Sequence, residues 1–347
     1  MARVDLTVMG GGIFGLSCAW EATRRGARVR LIDRYGIGAG SSGGVVGALA
    51  PHVPENWNAK KQFQLESLLM AGSWWSAVAD AGGTDAGYLR SGRIQPVPDD
   101  RALANARARI AESKTLWQGQ AEWSVVPSSG ADWEPASPTG WLVHDTLSAR
   151  ISPRRAATAL VAALKAGGAE ILIGDAQPQG PTLWATGQDG LLDLSATFGK
   201  PVGQGVKGQA LLLDHDARDL PQVFVDGLHI VPHADGTTAI GSTSENQWSD
   251  PSATDGQLDD LLARARAALP VLRGSRVIDR WAGVRPRARS RAPVLGRWPG
   301  RPDNYVANGG FKIGFGIAPK VAVAMADLIL DGRDTIPDGF SVESNLR

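Results

Sequence analysis

Three consecutive glycines, Gly10-Gly11-Gly12, followed by Ile13-Phe14-Gly15, stand between the apolar stretch Leu6-Thr7-Val8-Met9 and a helical stretch that runs through Arg25. A turn at Gly26 and a second apolar stretch, Val29 to Asp33, complete a βαβ unit. A dinucleotide pyrophosphate needs backbone N–H donors and a positive helix end, so the chain that binds it must pass close to the phosphates. Gly10 permits the tight turn, Gly12 lets the phosphate approach, and Gly15 lets the helix sit against the strand. Asp33 ends the second strand where a ribose hydroxyl needs an acceptor. A carboxylate there repels a 2′-phosphate, which argues against NADP; Arg34 softens that objection only slightly. The motif indicates dinucleotide binding rather than a purely structural glycine turn, but does not choose between NAD and FAD.

Further along, helical patterns cover about Lys60 to Ala79, Arg101 to Trp117 and Pro153 to Ala166, the last with Ser152 as N-cap and Pro153 at the first helical position. A tryptophan-rich stretch between the second and third reads as irregular. From Val206 to Thr243 short apolar runs broken by Gly, Pro and Asp predict antiparallel strands. A helix follows at about Asp255 to Ala268, then a strand at Val277 to Val284. The final helix is expected to begin near Pro319 and end near Gly332.

The expected fold is α/β: a Rossmann-type domain from residues 1–52, 145–200 and 277–347, with an inserted antiparallel α+β domain from 53–144 and 201–276. At 347 residues the chain exceeds what one core comfortably serves, in keeping with two packed domains.

Charge narrows the range of partners. Lys and Arg number 36 against 35 Asp and Glu, so no net field draws the chain to nucleic acid or to an anionic membrane. The single cysteine, Cys18, excludes an internal disulfide and a multi-cysteine metal site, and with the lack of a signal-like start it predicts a cytoplasmic protein. No run of about 18 apolar residues predicts a membrane span. The histidines are too scattered to predict a metal site. Self-association is left open.

Four further segments make nearly the whole chain resemble the D-amino acid oxidase and glycine oxidase family of flavoproteins, with its glutathione reductase-like FAD-binding domain. Gly38-Ala39-Gly40-Ser41-Ser42 through Gly47-Ala48-Leu49-Ala50-Pro51-His52 resembles the loop that in the family contacts the FAD phosphates and the flavin edge. Leu183-Trp184-Ala185-Thr186-Gly187 resembles the strand that returns to the cofactor. Gly283-Val284-Arg285-Pro286, with Pro293-Val294-Leu295-Gly296 after it, resembles the segment whose arginine binds the substrate carboxylate. Asn308-Gly309-Gly310-Phe311-Lys312-Ile313-Gly314 and the residues to Pro319 resemble the glycine-rich start of the last helix, which faces the flavin pyrimidine. Backbone N–H groups there suit the negative charge that develops on a flavin as it is reduced.

The resemblance implies FAD and the oxidation of a small amino acid or secondary amine, with its carboxylate on Arg285. The α-hydrogen leaves as hydride to flavin N5, the imine hydrolyses, and O2 takes the electrons. Such chemistry rests on positioning and charge more than on a protein base. Departures from the family are specific. The only cysteine lies in the first helix and no histidine precedes Gly47 in the 38–51 loop, so the FAD is expected to be non-covalent. His229 stands where the family often has a tyrosine, and Lys312 where glycine oxidases often carry arginine. His52 is a further candidate because its loop reaches toward the flavin. The run Arg285, Arg287, Arg289 and Arg291 also fits a charged edge strand. A flavin dehydrogenase passing electrons to a quinone or carrier shares every motif above. A non-catalytic dinucleotide binder and an NAD-dependent dehydrogenase are the readings outside this class.

Overall fold

The computed structural model of the chain describes residues 4–347. It opens on β1 (Leu6–Met9), α1 (Ile13–Arg24) and β2 (Val29–Asp33). The 38–51 loop carries a short strand, β3 (Ala48–Leu49), and leads to α2 (Ala59–Gly82), whose start is capped by the Asn58 side chain accepting from Lys61 N–H. Next come β4 (Arg93–Pro96) and α3 (Asp100–Leu116), the latter capped in the same way by Asp99. The tryptophan-rich stretch is not irregular. It forms β5 (Trp123–Pro127) and β6 (Trp141–Asp145), because the Trp123 indole is buried edge-on against Trp117 and donates to the Ala106 carbonyl at 3.0 Å.

The chain continues with β7 (Ala149–Arg150), α4 (Pro153–Ala166), β8 (Glu170–Ile173), β9 (Thr182–Trp184) and α5 (Gly187–Phe198). Ser152 occupies the N-cap of α4 without a side-chain cap hydrogen bond, so Pro153 and the buried apolar face define that start. Then follow β10 (Gly203–Asp214), β11 (Gln222–Val225), β12 (Leu228–Pro232), β13 (Thr238–Gly241), α6 (Gln257–Ala268), β14 (Arg276–Ala288), β15 (Val294–Arg297), β16 (Asn304–Asn308) and α7 (Gly314–Leu330).

Two sheets organise these elements. The first has the order β15-β16-β9-β1-β2-β8, parallel except for the β15–β16 pair. Its core joins Leu6, Val8, Leu31 and Leu183 to apolar residues of α1, α2, α4 and α7. Because parallel strands are covered by helices, their C-terminal ends collect along one edge, where α1 begins. The second sheet has the order β14-β10-β13-β12-β11-β4-β6-β5 and is antiparallel save for the β4–β11 pair. The α6 residues Leu258, Leu261, Leu262 and Ala265 cover part of it. Residues 277–288, which the expected boundary gave to the cofactor half, lie in β14 and pair with β10 in this second sheet. Among the described residues no helix is long and apolar enough to cross a membrane.

Candidate active site

The glycine turn is built as tightly as its sequence demands. Gly10 has φ +112° and Gly15 packs on its carbonyl; a Cβ at Gly10 would strike the Ala185 carbonyl, and one at Gly15 would strike Gly10. Gly12 differs, since the nearest atom to a Cβ placed there is Ser42 Oγ at 3.2 Å. Ser42 Oγ also accepts from Ile13 N–H at 2.9 Å, so the second loop caps the start of α1 from outside. Ser41 and Ser42 lie on the short turn that follows Gly40. Asp33 Oδ2 accepts from Gly11 N–H at 2.5 Å, while Oδ1 accepts from the N–H groups of Tyr35 and Gly36, each at 2.8 Å. Arg34 pairs with Asp175 at 2.7 Å on the surface. Glycines that lack room for a Cβ, and a helix start served by a hydroxyl, suit a pyrophosphate at this turn.

The other segments converge on the same edge. Ala185 N–H donates to the Met9 carbonyl at 2.8 Å, Thr186 is the N-cap of α5, and Gly187 takes φ +61°. Gly47 has φ +65° and abuts the Ile151 carbonyl, which sets Ala48 and Leu49 against β7. In the last loop Gly309 takes φ +75°, the Gly310 position leaves room for the Phe14 ring, and Phe311 N–H donates to the Pro286 carbonyl at 3.1 Å. The first turn of α7 begins at Gly314, with Ile313 at the N-cap position and no side-chain cap hydrogen bond.

Between these elements lies a small cavity of about 110 Å³. Its walls come from the 48–50 loop, from Ile313 and Gly316 of the last loop and helix, and from Gln64, His229 and Lys312. No carboxylate lines it. Burial, with Arg93 and Lys312 nearby, holds His229 neutral by pushing its pKa down to about 3. Its Nδ1 is buried without a hydrogen-bond partner, and its ring packs against Phe224 at 4.6 Å. Lys312 is half-buried, its pKa lowered by burial and then by Arg285. His52 does not line the cavity. Its N–H and ring Nδ1 both meet Gln64 Oε1, and Gln64 Nε2 donates to the Ala50 carbonyl at 3.1 Å. Burial lowers the His52 pKa, with the Gln64 contact acting in the opposite direction.

Arg285, expected to bind the substrate carboxylate, does not line this cavity. It is buried, with Nη1 donating to Ser242 Oγ at 2.8 Å and Nη2 to the carbonyls of Thr243 and Lys207 at 2.7 and 3.2 Å. Burial lowers its pKa to about 10, partly offset by Glu245. The guanidinium reaches this pose because Gly208, two residues along β10 from Val206, the register partner of Arg285, has no side chain to obstruct it. Ser242, Thr243 and Lys312 line a second, polar cleft, together with Asp226, Asp260 and Arg264. Arg285, Arg287 and Lys312 all lie within 6 Å of the Phe311 ring centre, at 5.6, 5.8 and 5.8 Å. The remaining two arginines of the run point elsewhere: Arg289 bonds the C-terminal turn, and the Arg291 carbonyl meets Lys60. Trp74 and Trp75 pack edge-to-face at 4.8 Å inside the core. Among the described residues no group of three or more His, Cys, Asp or Glu side chains is placed to hold a metal ion.

A family model for FAD dependent oxidoreductases of the DAO type matches residues 5–328. The chain belongs to this family. It is 28% identical over 377 residues to the glycine oxidase of Pseudomonas putida, covering 99% of each chain. It is also 27% identical over 354 residues to the bifunctional protein ThiO/ThiG of a Nostoc species, covering 95% of this chain and 53% of that one, so it spans about half the length of that relative. Among solved structures, glycine oxidase from Geobacillus kaustophilus superposes with a TM-score of 0.83 at 21% identity over 99% of both chains. Iminodiacetate oxidase from Chelativorans gives 0.84 at 20% identity over 97% of this chain and 98% of that one. The two superpositions show that the chain shares the fold of these proteins.

The sequence reading missed Gln64 and the Ser242-Thr243-Glu245 group. Gln64 shares its face of α2 with Lys60, Lys61, Ser67 and Leu68, where one more polar residue gives no signal of burial or function. The second group has weak sequence cues because its partners are distant: Glu245 Oε1 accepts from Thr243 Oγ1 at 2.5 Å and from Gln209 at 3.2 Å, and Thr243 Oγ1 accepts from Gln209 N–H at 2.8 Å.

Proposed function

We propose that this family member holds FAD without a covalent bond and oxidises the C–N bond of a small amino acid or secondary amine. The observation that carries the reading is the cavity lined by the 48–50 loop, the start of α7, Lys312 and neutral His229, with no carboxylate in its walls. A cation on one wall and a neutral imidazole on another suit a carboxylate.

FAD, when bound, would supply the hydride acceptor, and the protein supplies placement and charge. Arg285 and Lys312 give the site a positive field that holds the substrate carboxylate and offsets charge developing on the cofactor. His229, neutral over the physiological range, offers a hydrogen bond without adding a third charge. O2 is the proposed electron acceptor. The names of relatives support this substrate class, glycine oxidase above all.

The test is anaerobic mixing of the purified protein with glycine, sarcosine, D-amino acids, L-proline and simple amines, followed by air. Bleaching by one of these, with rapid return of colour and stoichiometric peroxide in air, is the expected result. Bleaching without return in air would reassign the electron acceptor, and no bleaching by any amine would overturn the reading.

A further inference from the structure

Beyond Gly241, where β13 ends, the chain does not leave β10. Thr243 N–H donates to the Gln209 carbonyl at 3.1 Å, and Lys207 and Glu245 exchange both backbone hydrogen bonds at 2.9 Å. Residues 242–245 therefore continue the ladder as a strap. This strap and Lys207 supply every acceptor that Arg285 uses: Ser242 Oγ and the carbonyls of Thr243 and Lys207.

One residue braces both of those carbonyls. Glu245 Oε1 accepts from Thr243 Oγ1 at 2.5 Å and from Gln209 Nε2 at 3.2 Å, and Glu245 N–H donates to the same Lys207 carbonyl that receives Arg285 Nη2. Its other oxygen, Oε2, lies 3.9 Å from the Lys207 ammonium, with 13% and 5% of the two side chains exposed. Glu245 is also the acid whose charge reaches Arg285. A carboxylate this far from water is held by its partners, so its position is set by the strap and sets the strap in turn.

Arg285 keeps donors in reserve. Three of its five N–H groups are engaged with the strap and Lys207, and its Nε–H is buried without a partner. The direction of every remaining donor follows from the plane of the guanidinium, and that plane is fixed by the three acceptors. We propose that Glu245 is a positioning residue which, acting through Thr243, holds the Arg285 guanidinium in the pose from which it serves the substrate carboxylate. The inference rests on the amino-acid reading above, in which Arg285 contributes to holding that carboxylate.

Glu245→Ala removes the brace, Thr243→Val cuts the link while keeping the shape, and Thr243→Ser keeps the hydroxyl. Each is made in the parent and in an Arg285→Ala background. On the holoenzyme, kcat/KM is measured with the best amino acid and with an amine of similar size that lacks a carboxylate, and the dissociation constant of acetate is measured by calorimetry. Residues of one hydrogen-bond network are coupled, so Glu245→Ala and Thr243→Val should each lower kcat/KM for the amino acid about tenfold, mainly through KM. The acetate constant should rise by about the same factor, with the other amine changed less than about twofold. Thr243→Ser should recover most of the loss. With Arg285 already alanine, neither variant should cost more than about a further twofold, because the group they position is gone. Equal loss on both substrates, or the same loss with Arg285 absent, would overturn the inference and make Glu245 a brace of the strand alone. Parental kinetics and acetate binding in both variants would overturn it too. Should Glu245→Ala fail to fold with Lys207 left unpaired, Thr243→Val carries the same test. If Arg285→Ala by itself spares the amino acid, the anchor reading fails and this inference falls with it; if Arg285→Ala is impaired and the Glu245 and Thr243 variants are not, this inference alone fails.

Discussion

The hydroxyl of Ser42 accepts a hydrogen bond from the N–H of Ile13 at 2.9 Å, and the same oxygen stands 3.2 Å from where a side chain on Gly12 would begin. One hydroxyl thus joins the serine-rich loop to the first turn of α1. A branched side chain at Gly12 would push Ser42 away and fill the approach to the helix start. Gly12→Val should therefore purify with little flavin, read as the ratio of flavin to protein absorbance. Ser42→Ala removes the bridge without adding bulk and should retain flavin more weakly than the parent but better than the valine variant. Normal flavin content in Gly12→Val would refute the placement of the pyrophosphate.

The Arg93–Asp145 pair offers a test of stability apart from chemistry. Arg93 Nε donates to Asp145 Oδ2 at 2.9 Å, with both residues buried and paired in register between β4 and β6. Removing one partner of a buried pair strands the other charge, which costs about 3–5 kcal/mol. Arg93→Met should lower the denaturant midpoint of the apoprotein accordingly. Replacing both residues with apolar ones should recover much of the loss, because no lone charge then remains.

His229 sets a sign for acid sensitivity. Its pKa is held near 3 in the fold and returns to its ordinary value near 6.5 on unfolding, so between those values the unfolded chain binds the extra proton. The stability from keeping His229 neutral is fully present above about pH 6.5 and is lost as the pH falls toward 3. His233 and His52, whose pKa values are lowered by burial as well, add to the same trend. His229→Gln should flatten the loss of stability over that window relative to the parent. An unchanged slope in urea titrations from pH 7 to 4 would show that His229 is not held neutral by the fold.

The opening of the fold was legible because its constraints are local. The glycine turn, the acid at Asp33 and Pro153 at the start of α4 each act within a few residues. The last helix was placed five residues late, near Pro319, for an instructive reason. Glycines at 314 and 316 and a proline at 319 read as a loop, yet Pro319 lies inside α7 and its missing N–H is tolerated there. Tertiary packing makes up the difference: Gly316 nestles against Leu68 of α2, and Lys320 N–H donates to Ser67 Oγ at 3.3 Å. The strands β5 and β6 escaped for a similar reason, since they are fixed by pairing and by a buried indole rather than by an alternating pattern. Of the residues the motif order singled out, Lys312 lines the cavity and Arg285 does not, and the neutral state of His229 depends on burial and charges that only the fold brings together.

Arg285 is the residue on which the amino-acid reading most depends, and its setting sharpens what its loss should do. All three of its hydrogen bonds go to neutral oxygens of Ser242, Thr243 and Lys207, with no carboxylate in contact. The charge is therefore fixed in place beside Lys312 without being cancelled, apart from the more distant Glu245. Arg285→Ala removes both the charge and the brace on residues 242–243. Arg285→Lys keeps a charge but cannot span the three acceptors with a planar fork, so it should fall between the parent and alanine. A charge-assisted contact in a largely dry site is worth a few kcal/mol, which implies a fall of about two to three orders of magnitude in kcat/KM for carboxylated substrates in the alanine variant. Flavin content should be unchanged, because the phosphate turn lies on the other sheet. Steady-state kinetics with the best amino acid and with an uncharged amine of similar size separate the two roles. Loss confined to the carboxylated substrate identifies an anchor, whereas equal loss on both would assign Arg285 to the architecture of the site, and parental rates on both would remove it from the reaction altogether.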